Sequence, residues 1–367
     1  MLNTKLVLSL VLLLCFPLIF LLAQRILPSK LDKILLPDEL DDLALFRKAT
    51  LASIERKEAE DHYHSQYGSI LSFLSKDSTP PPKIAFLFLT NSNIHFAPLW
   101  EKFFQNKSTL YNIYIHADPT VKIKNPGGVF KGRFIAAKGT ERGSPTLIAA
   151  TRRLLAAALL DDPLNMFFAL ISQHCIPVHS FDYMYHSLFY KPISGSTRFR
   201  PANSNRFPYK SFIEILSGEP GMHERYLSRG ENVMLPEVPF DQFRVGSQFF
   251  VLTREHALLV INDRRLWRKF RLPCLDKYAC YAEEHYFPTL LSMEDPKWCT
   301  QYTLTRVDWR NSSDGHPHTY RPPEVSPELI RNLRKSNTSS SYFFARKFSP
   351  DCLKPLLHIA QSAIFRE

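Results

Sequence analysis

Hydrophobic positions are distributed unevenly along the chain, and the first block is the densest. Leu6 to Ala23 carries no charge and is almost wholly Leu, Val, Ile and Phe, with Lys5 before it and Arg25 after it. A bilayer span takes roughly 17–25 such residues, so the run suits a transmembrane anchor. A cleaved signal peptide is the competing reading. It asks for a shorter apolar core and a small-residue cleavage site, which Leu21-Leu22-Ala23-Gln24 supplies poorly. Pro17 inside the run is tolerable in a membrane helix. Leu31 to Tyr67 is polar and rich in acids, with helical spacing in parts (Leu40, Leu43, Leu45, Phe46, Ile54), and Ser78-Thr79-Pro80-Pro81-Pro82 follows. Consecutive prolines mark a linker. The pattern divides the chain into a tail (1–5), an anchor (6–23), a stem (24–82) and a large domain (83–367).

From Lys83 the pattern changes. Lys83 to Asn91 and Leu110 to Ala117 are short continuous apolar runs, as in strands buried on both faces. Phe134 to Ala136 predicts a third strand, and Asn165 to Ser172 another. Ala97–Phe104 and Thr146–Leu160 carry helical spacing between them. Strands alternating with helices predict an α/β domain, a mainly parallel central sheet flanked by helices. Ligands of such sheets bind beyond the C-terminal strand ends. Asn91, Asp118 and Ser172-Gln173-His174 fall there. The second half is more mixed. Phe243–Thr253 reads as a turn into a strand and Arg254–Asn262 as a helix. A further helix starts near Cys280 with two acids at its front, and Asp295–Arg310 is extended around Trp309.

Charge narrows the partners. There are 46 basic and 35 acidic residues, a net charge of +11. A basic surface suits nucleic acid, acidic lipid or a phosphorylated small molecule, or is simply soluble. No nucleic-acid motif accompanies it. The charges flanking the anchor do not decide its orientation. Three sequons, at Asn106, Asn311 and Asn337, favour a luminal domain. Of six cysteines, Cys175 reads as a buried free thiol; Cys274, Cys280, Cys299 and Cys352 cluster late, and pairs among them suit an oxidising lumen.

Several residues invite chemistry, each with a plainer alternative. Glu283 and Glu284, in AEEHYFPT, offer a general base for a sugar hydroxyl, or two acids that complement a helix N-terminus. Arg346-Lys347, between Phe344 and Phe348, offers cations for a departing pyrophosphate, or an ordinary basic pair on a surface strand. Asp118 ends a strand where an acid holds a ribose or base, or caps the next element. His316 and His318 are too slight a pair for a metal site. The chain contains no Asp-x-Asp triplet, GxGxxG, P-loop or HExxH.

Five blocks then converge. FALISQHCIPVHSFDYMYHSL (168–188), FRVGSQFFVLTREHA (243–257), AEEHYFPTLL (282–291), TRVDW (305–309) and FFARKFSPDCL (343–353) resemble, in order, the plant core-2/I-branching β-1,6-N-acetylglucosaminyltransferase-like family of glycosyltransferase family 14. The resemblance implies a GT-A-type fold and a type II Golgi membrane protein. It also implies inverting, metal-independent transfer from a UDP-sugar, GlcNAc-type or related, to a glycan or glycoprotein. It places the catalytic base on Glu284 and a diphosphate-binding cation on Lys347, beside Arg346. It places nucleoside contacts at Asp118, Thr90 and Asn91, and acceptor contacts at Trp309 and Glu283. A second diphosphate cation has two candidates, His316 and Arg321. The chain departs from the family at Arg142-Gly143, where Trp-Gly is usual, and at Ala149 or Thr151, where a Glu is usual. A non-catalytic Golgi sugar-binding or scaffold protein that retains the fold is the alternative reading.

Overall fold

Three apolar runs become the middle of the molecule. The structure, a computed structural model, describes residues 39–67, 80–190, 209–276, 279–310 and 316–366. Strand β1 (Lys83–Thr90) lies between β2 (Tyr111–Ala117) and β3 (Asn165–Ser172), parallel to both. Every residue of β3 is buried, and Ile84 to Phe88 of β1 are sealed from solvent, which is why these runs do not alternate. Beyond β3 the direction reverses. β6 (Val251–Thr253) runs antiparallel to β3, and β5 (Ser211–Glu214) and β7 (Cys299–Gln301) complete a sheet ordered β2-β1-β3-β6-β5-β7. The sheet is helix-flanked and mainly parallel, as expected, and β6, antiparallel to both its neighbours, makes it mixed.

The expected third strand is not formed. Phe134 to Ala136 contributes a single bridge, Ile115 to Phe134. The chain is then drawn onto side chains instead of a strand edge: Lys138 N donates to His116 Nε2 and Thr140 N to Asp118.

Two helices seal the sheet. Among the residues of α2 (Ala97–Phe104), Trp100, Phe103 and Phe104 meet Phe86 edge-on, with ring centroids 4.8–6.1 Å apart. Burying each such side chain is worth roughly 1.5–3 kcal/mol. On α3 (Thr146–Asp161) the fully buried Arg152 lies over the Phe46 and Trp267 rings, at 4.8 and 5.0 Å, and its guanidinium donates to the carbonyls of Ile261 and Asp263.

Phe46 belongs to α1 (Glu39–Tyr67), within the segment expected to be a stem. α1 instead packs on α3 and on α6 (Arg254–Asn262), and the compact unit runs from Glu39 to the end of the chain. Asp42 forms a buried ion pair with Arg153, Glu39 pairs with Arg271, and Thr50 Oγ1 donates to Asn262 at 2.8 Å. Acids scattered among polar residues gave no sign of these partners, which stand a hundred or more positions away. The expected anchor, 6–23, lies outside the described residues. Among those described, no helix is long and apolar enough to cross a membrane.

A second sheet, β4-β9-β8, carries the late basic pair to the strand ends. β9 (Phe344–Arg346) lies between β4 (Ile176–Pro177), antiparallel, and β8 (Thr305–Val307), parallel. Phe348 N then donates to the His174 carbonyl. Cys274 and Cys280 form a disulfide, Cys175 and Cys352 are buried free thiols, and Cys299 is buried.

Candidate active site

Glu284 sits in the first turn of α8 (Ala282–Glu294), with Tyr281 as its N-cap. Its backbone carbonyl accepts from Gly246 N at 2.9 Å. Gly246 passes so close to β5 that an added Cβ would lie 2.0 Å from the Glu214 carbonyl oxygen, so glycine is required there for space. The Glu284 side chain is 28% exposed, and its carboxylate meets Arg225 Nη1 at 3.4 Å. Burial raises its pKa, opposed by the charges of Arg225 and Arg346. A base that is partly buried, still reachable and flanked by cations is suited to taking a proton from a hydroxyl near neutral pH.

Arg225, on α5 (Met222–Leu227), is held in turn by His285. His285 Nδ1 is 3.0 Å from the Arg244 carbonyl, and its Nε2 is 3.4 Å from Arg225 Nη1. Nδ1 therefore carries the proton and Nε2 accepts. Burial holds the imidazole neutral, with its pKa down to about 3, so it can accept from a guanidinium without repelling it. It stacks on Phe243 at 4.6 Å.

Glu283 is different. It is 5% exposed and its Oε2 has no hydrogen-bond partner. Burial first, then repulsion by Glu284, push its pKa up to about 7, against Arg142 and Arg229. Complementing a helix dipole is worth about 0.3–1 kcal/mol. Burying an unpaired carboxylate costs more, so the plain helix-end reading does not account for this residue. Arg229 is 4% exposed, faces the Phe270 ring at 5.0 Å, and its three guanidinium nitrogens lack hydrogen-bond partners.

Arg346 extends from the end of β9 over the Phe249 ring, 4.4 Å from its centroid, and its charge acts on Glu284. The charges of Arg346, Lys347 and His95 act on His174, whose Nδ1 lies 3.3 Å from the Phe348 carbonyl and whose pKa is lowered, chiefly by burial. The charges of Arg346 and Lys347 thus reach the end of β3. Among the described residues no group of three His, Cys, Asp or Glu side chains forms a metal donor set.

Other expected residues are placed less directly. Thr90 is 3% exposed; its hydroxyl donates to the Ser92 carbonyl and accepts from Ser92 N. Asn91 is exposed and accepts from Gln173 Nε2 at 2.8 Å, tying the ends of β1 and β3. Asp118 is 2% exposed and accepts four hydrogen bonds, from the N–H and hydroxyl of both Thr120 and Thr140. These outweigh burial and bring its pKa down to about 2. Its acceptor sites are filled, so it organises the loop around the strand end. Trp309 is 53% exposed after β8, and among the described residues no ring or hydrogen-bond contact joins it to the Glu284 cluster. His318 pairs with Glu324 at 2.7 Å, and the Arg321 N–H donates to the same carboxylate. His316 Nε2 meets Arg142 Nη1 at 2.9 Å. Asn106 and Asn337 are exposed; Asn311 lies outside the described residues.

Sequence reasoning missed Arg225 and Tyr281 altogether, and saw His285 only as part of AEEHYFPT. No spacing links position 225 to 284; proximity arises because α5 and α8 meet in space.

A mixed α/β sheet and a half-buried carboxylate at a helix start, held by Arg225, describe an α/β domain with a candidate general base. The chain belongs to the Core-2/I-Branching enzyme family, whose model matches residues 84–334. This is the family that the five blocks resemble, and the last block, with Arg346-Lys347, lies beyond the matched residues. Glycosyltransferase BC10 of Oryza sativa subsp. japonica is 28% identical over 285 residues. That alignment covers 69% of this chain, and the chain spans 65% of that relative's length.

Proposed function

We propose that this protein transfers a sugar, GlcNAc-type or related, from a UDP-sugar to a hydroxyl of a glycan or glycoprotein, through a GT-A-type domain. The observation that carries this is Glu284: a carboxylate raised in pKa yet reachable, 3.4 Å from Arg225 Nη1 and with the charge of Arg346 acting on it. In the reaction Glu284 takes the acceptor hydroxyl's proton as that oxygen attacks the anomeric carbon. The new glycosidic bond forms on the face opposite the diphosphate, the bond from carbon to phosphate oxygen breaks, and UDP leaves with the configuration inverted. Lys347, with Arg346, offsets the charge gathering on the departing diphosphate. Glu283 borders the acceptor side, and Trp309 lines the acceptor farther out. Thr90, Asn91 and the loop braced by Asp118 border the nucleoside.

The site of action in this reading is the Golgi lumen, with the 6–23 run as a type II anchor. The exposed sequons at Asn106 and Asn337 and the Cys274–Cys280 disulfide support it, since disulfides persist in oxidising compartments. The name of the rice relative supports the transferase activity. The test is Glu284→Gln, which keeps shape while removing the base. Turnover should fall by about 10²–10⁴-fold with UDP affinity retained. Full turnover in the variant would remove Glu284 from the mechanism. Donor turnover by neither form, with sugar binding intact, would favour a non-catalytic sugar-binding protein.

A further inference from the structure

Tyr281, three residues before Glu284, has two guanidiniums against its ring. The Cζ of Arg142 lies 5.7 Å from the ring centroid and that of Arg225 lies 5.6 Å away. They come from unrelated places: Arg142 from the loop that follows Asp118, Arg225 from α5. Arg142 is exposed, and the Arg225 side chain is 30% exposed. Both side-chain hydrogen bonds of Arg225 leave from Nη1 and both are long, 3.4 Å, although a guanidinium carries five donors.

One cation is enough to balance Glu284. A second at the same distance from the same ring adds repulsion, and burying Glu283 supplies little negative charge in return. The arrangement is relieved by an incoming anion. Arg225 touches the carboxylate that must touch the acceptor hydroxyl, so this anion arrives with the acceptor. The diphosphate belongs, in the reading above, with Lys347 and Arg346. Guanidinium forks match carboxylates two bonds at a time.

We infer that Arg142 and Arg225, set about Tyr281, form an acceptor subsite for a carboxylate-bearing sugar, so that the acceptor is a uronic-acid-containing saccharide. The inference rests on Glu284 marking the acceptor side, as proposed above.

The test is binding by the full chain, with UDP present, of two oligosaccharides of one backbone: one with uronic acid residues, the other carboxyl-reduced to the neutral sugar. The acidic form should bind about tenfold or more tightly, as charge-assisted hydrogen bonds would give. Arg142→Gln should remove that preference and leave UDP affinity unchanged. Lys57→Gln, the same charge change on the exposed side of α1, should keep it, which separates a built subsite from general basic attraction. Equal binding of the two saccharides, or no binding of either, overturns the inference. So does a preference that survives Arg142→Gln, or a loss of UDP affinity in that variant, which would assign Arg142 to the donor. Acid-selective binding without transfer would leave the subsite standing and remove the transferase reading; transfer without acid preference would do the reverse.

Discussion

Glu284 is governed by its neighbours more than by its place in a helix. Burial raises its pKa and Arg225 lowers it. Removing that cation as Arg225→Gln should raise the pKa further, so the base stays protonated to higher pH. The acid limb of the pH–rate profile should therefore move upward, with the basic limb in place. An unmoved acid limb would show that Arg225 does not act on the base. Glu283 makes a stability prediction of its own. The folded protein holds this proton to about pH 7, whereas an unfolded Glu releases it near pH 4.3. Between those values the folded state binds more protons, so this contribution is intact below about pH 4 and is lost as pH rises through 7. Glu283→Gln should subtract that loss: wild type should lose more thermal stability than the variant between about pH 5 and about pH 8. Equal changes in the two would place the carboxyl in a wetter site than the structure shows.

At the scale of elements, α1 and β9 carry the surprises. α1 completes the core by covering Arg152 with Phe46 and pairing Arg153 with Asp42. Removing one partner of a buried ion pair costs about 3–5 kcal/mol. A chain starting at residue 80 should thus unfold at a clearly lower temperature than one starting at residue 39, and thermal denaturation of the two checks it. Matching midpoints would reduce α1 to a spacer. β9 spans three residues, yet through its pairing with β4 and β8 it delivers Arg346 and Lys347 to the strand ends. As an isolated segment it reads better as a surface strand with two solvated charges.

For the whole molecule, the consequence is where positive charge gathers. Arg346 at the end of β9 and Lys347 after it stand side by side, and the charges of both act on His174 at the end of β3. If these side chains stabilise the leaving diphosphate, transfer should persist in EDTA. Complete loss of activity, restored by a divalent metal, would contradict the role given to Lys347.

The central strands were legible because burial on both faces leaves continuous apolar runs: Lys83–Thr90 and Asn165–Ser172 form as their composition dictates. Helices α2 and α6 were legible from spacing, for the same local reason. The pairing of acids with a base role at Glu284 was open in the local pattern and became specific through five blocks in a family's order. What the tertiary structure alone decided lies between distant segments. It set Arg225 on Glu284, put Arg142 and Arg225 about one tyrosine, turned Asp118 inward onto two threonines, and docked a supposed stem helix into the core. Periodicity reports which face of an element meets the interior, because it is a property of one segment. Which side chains meet there is fixed by packing and by long-range electrostatics, and these have no local period.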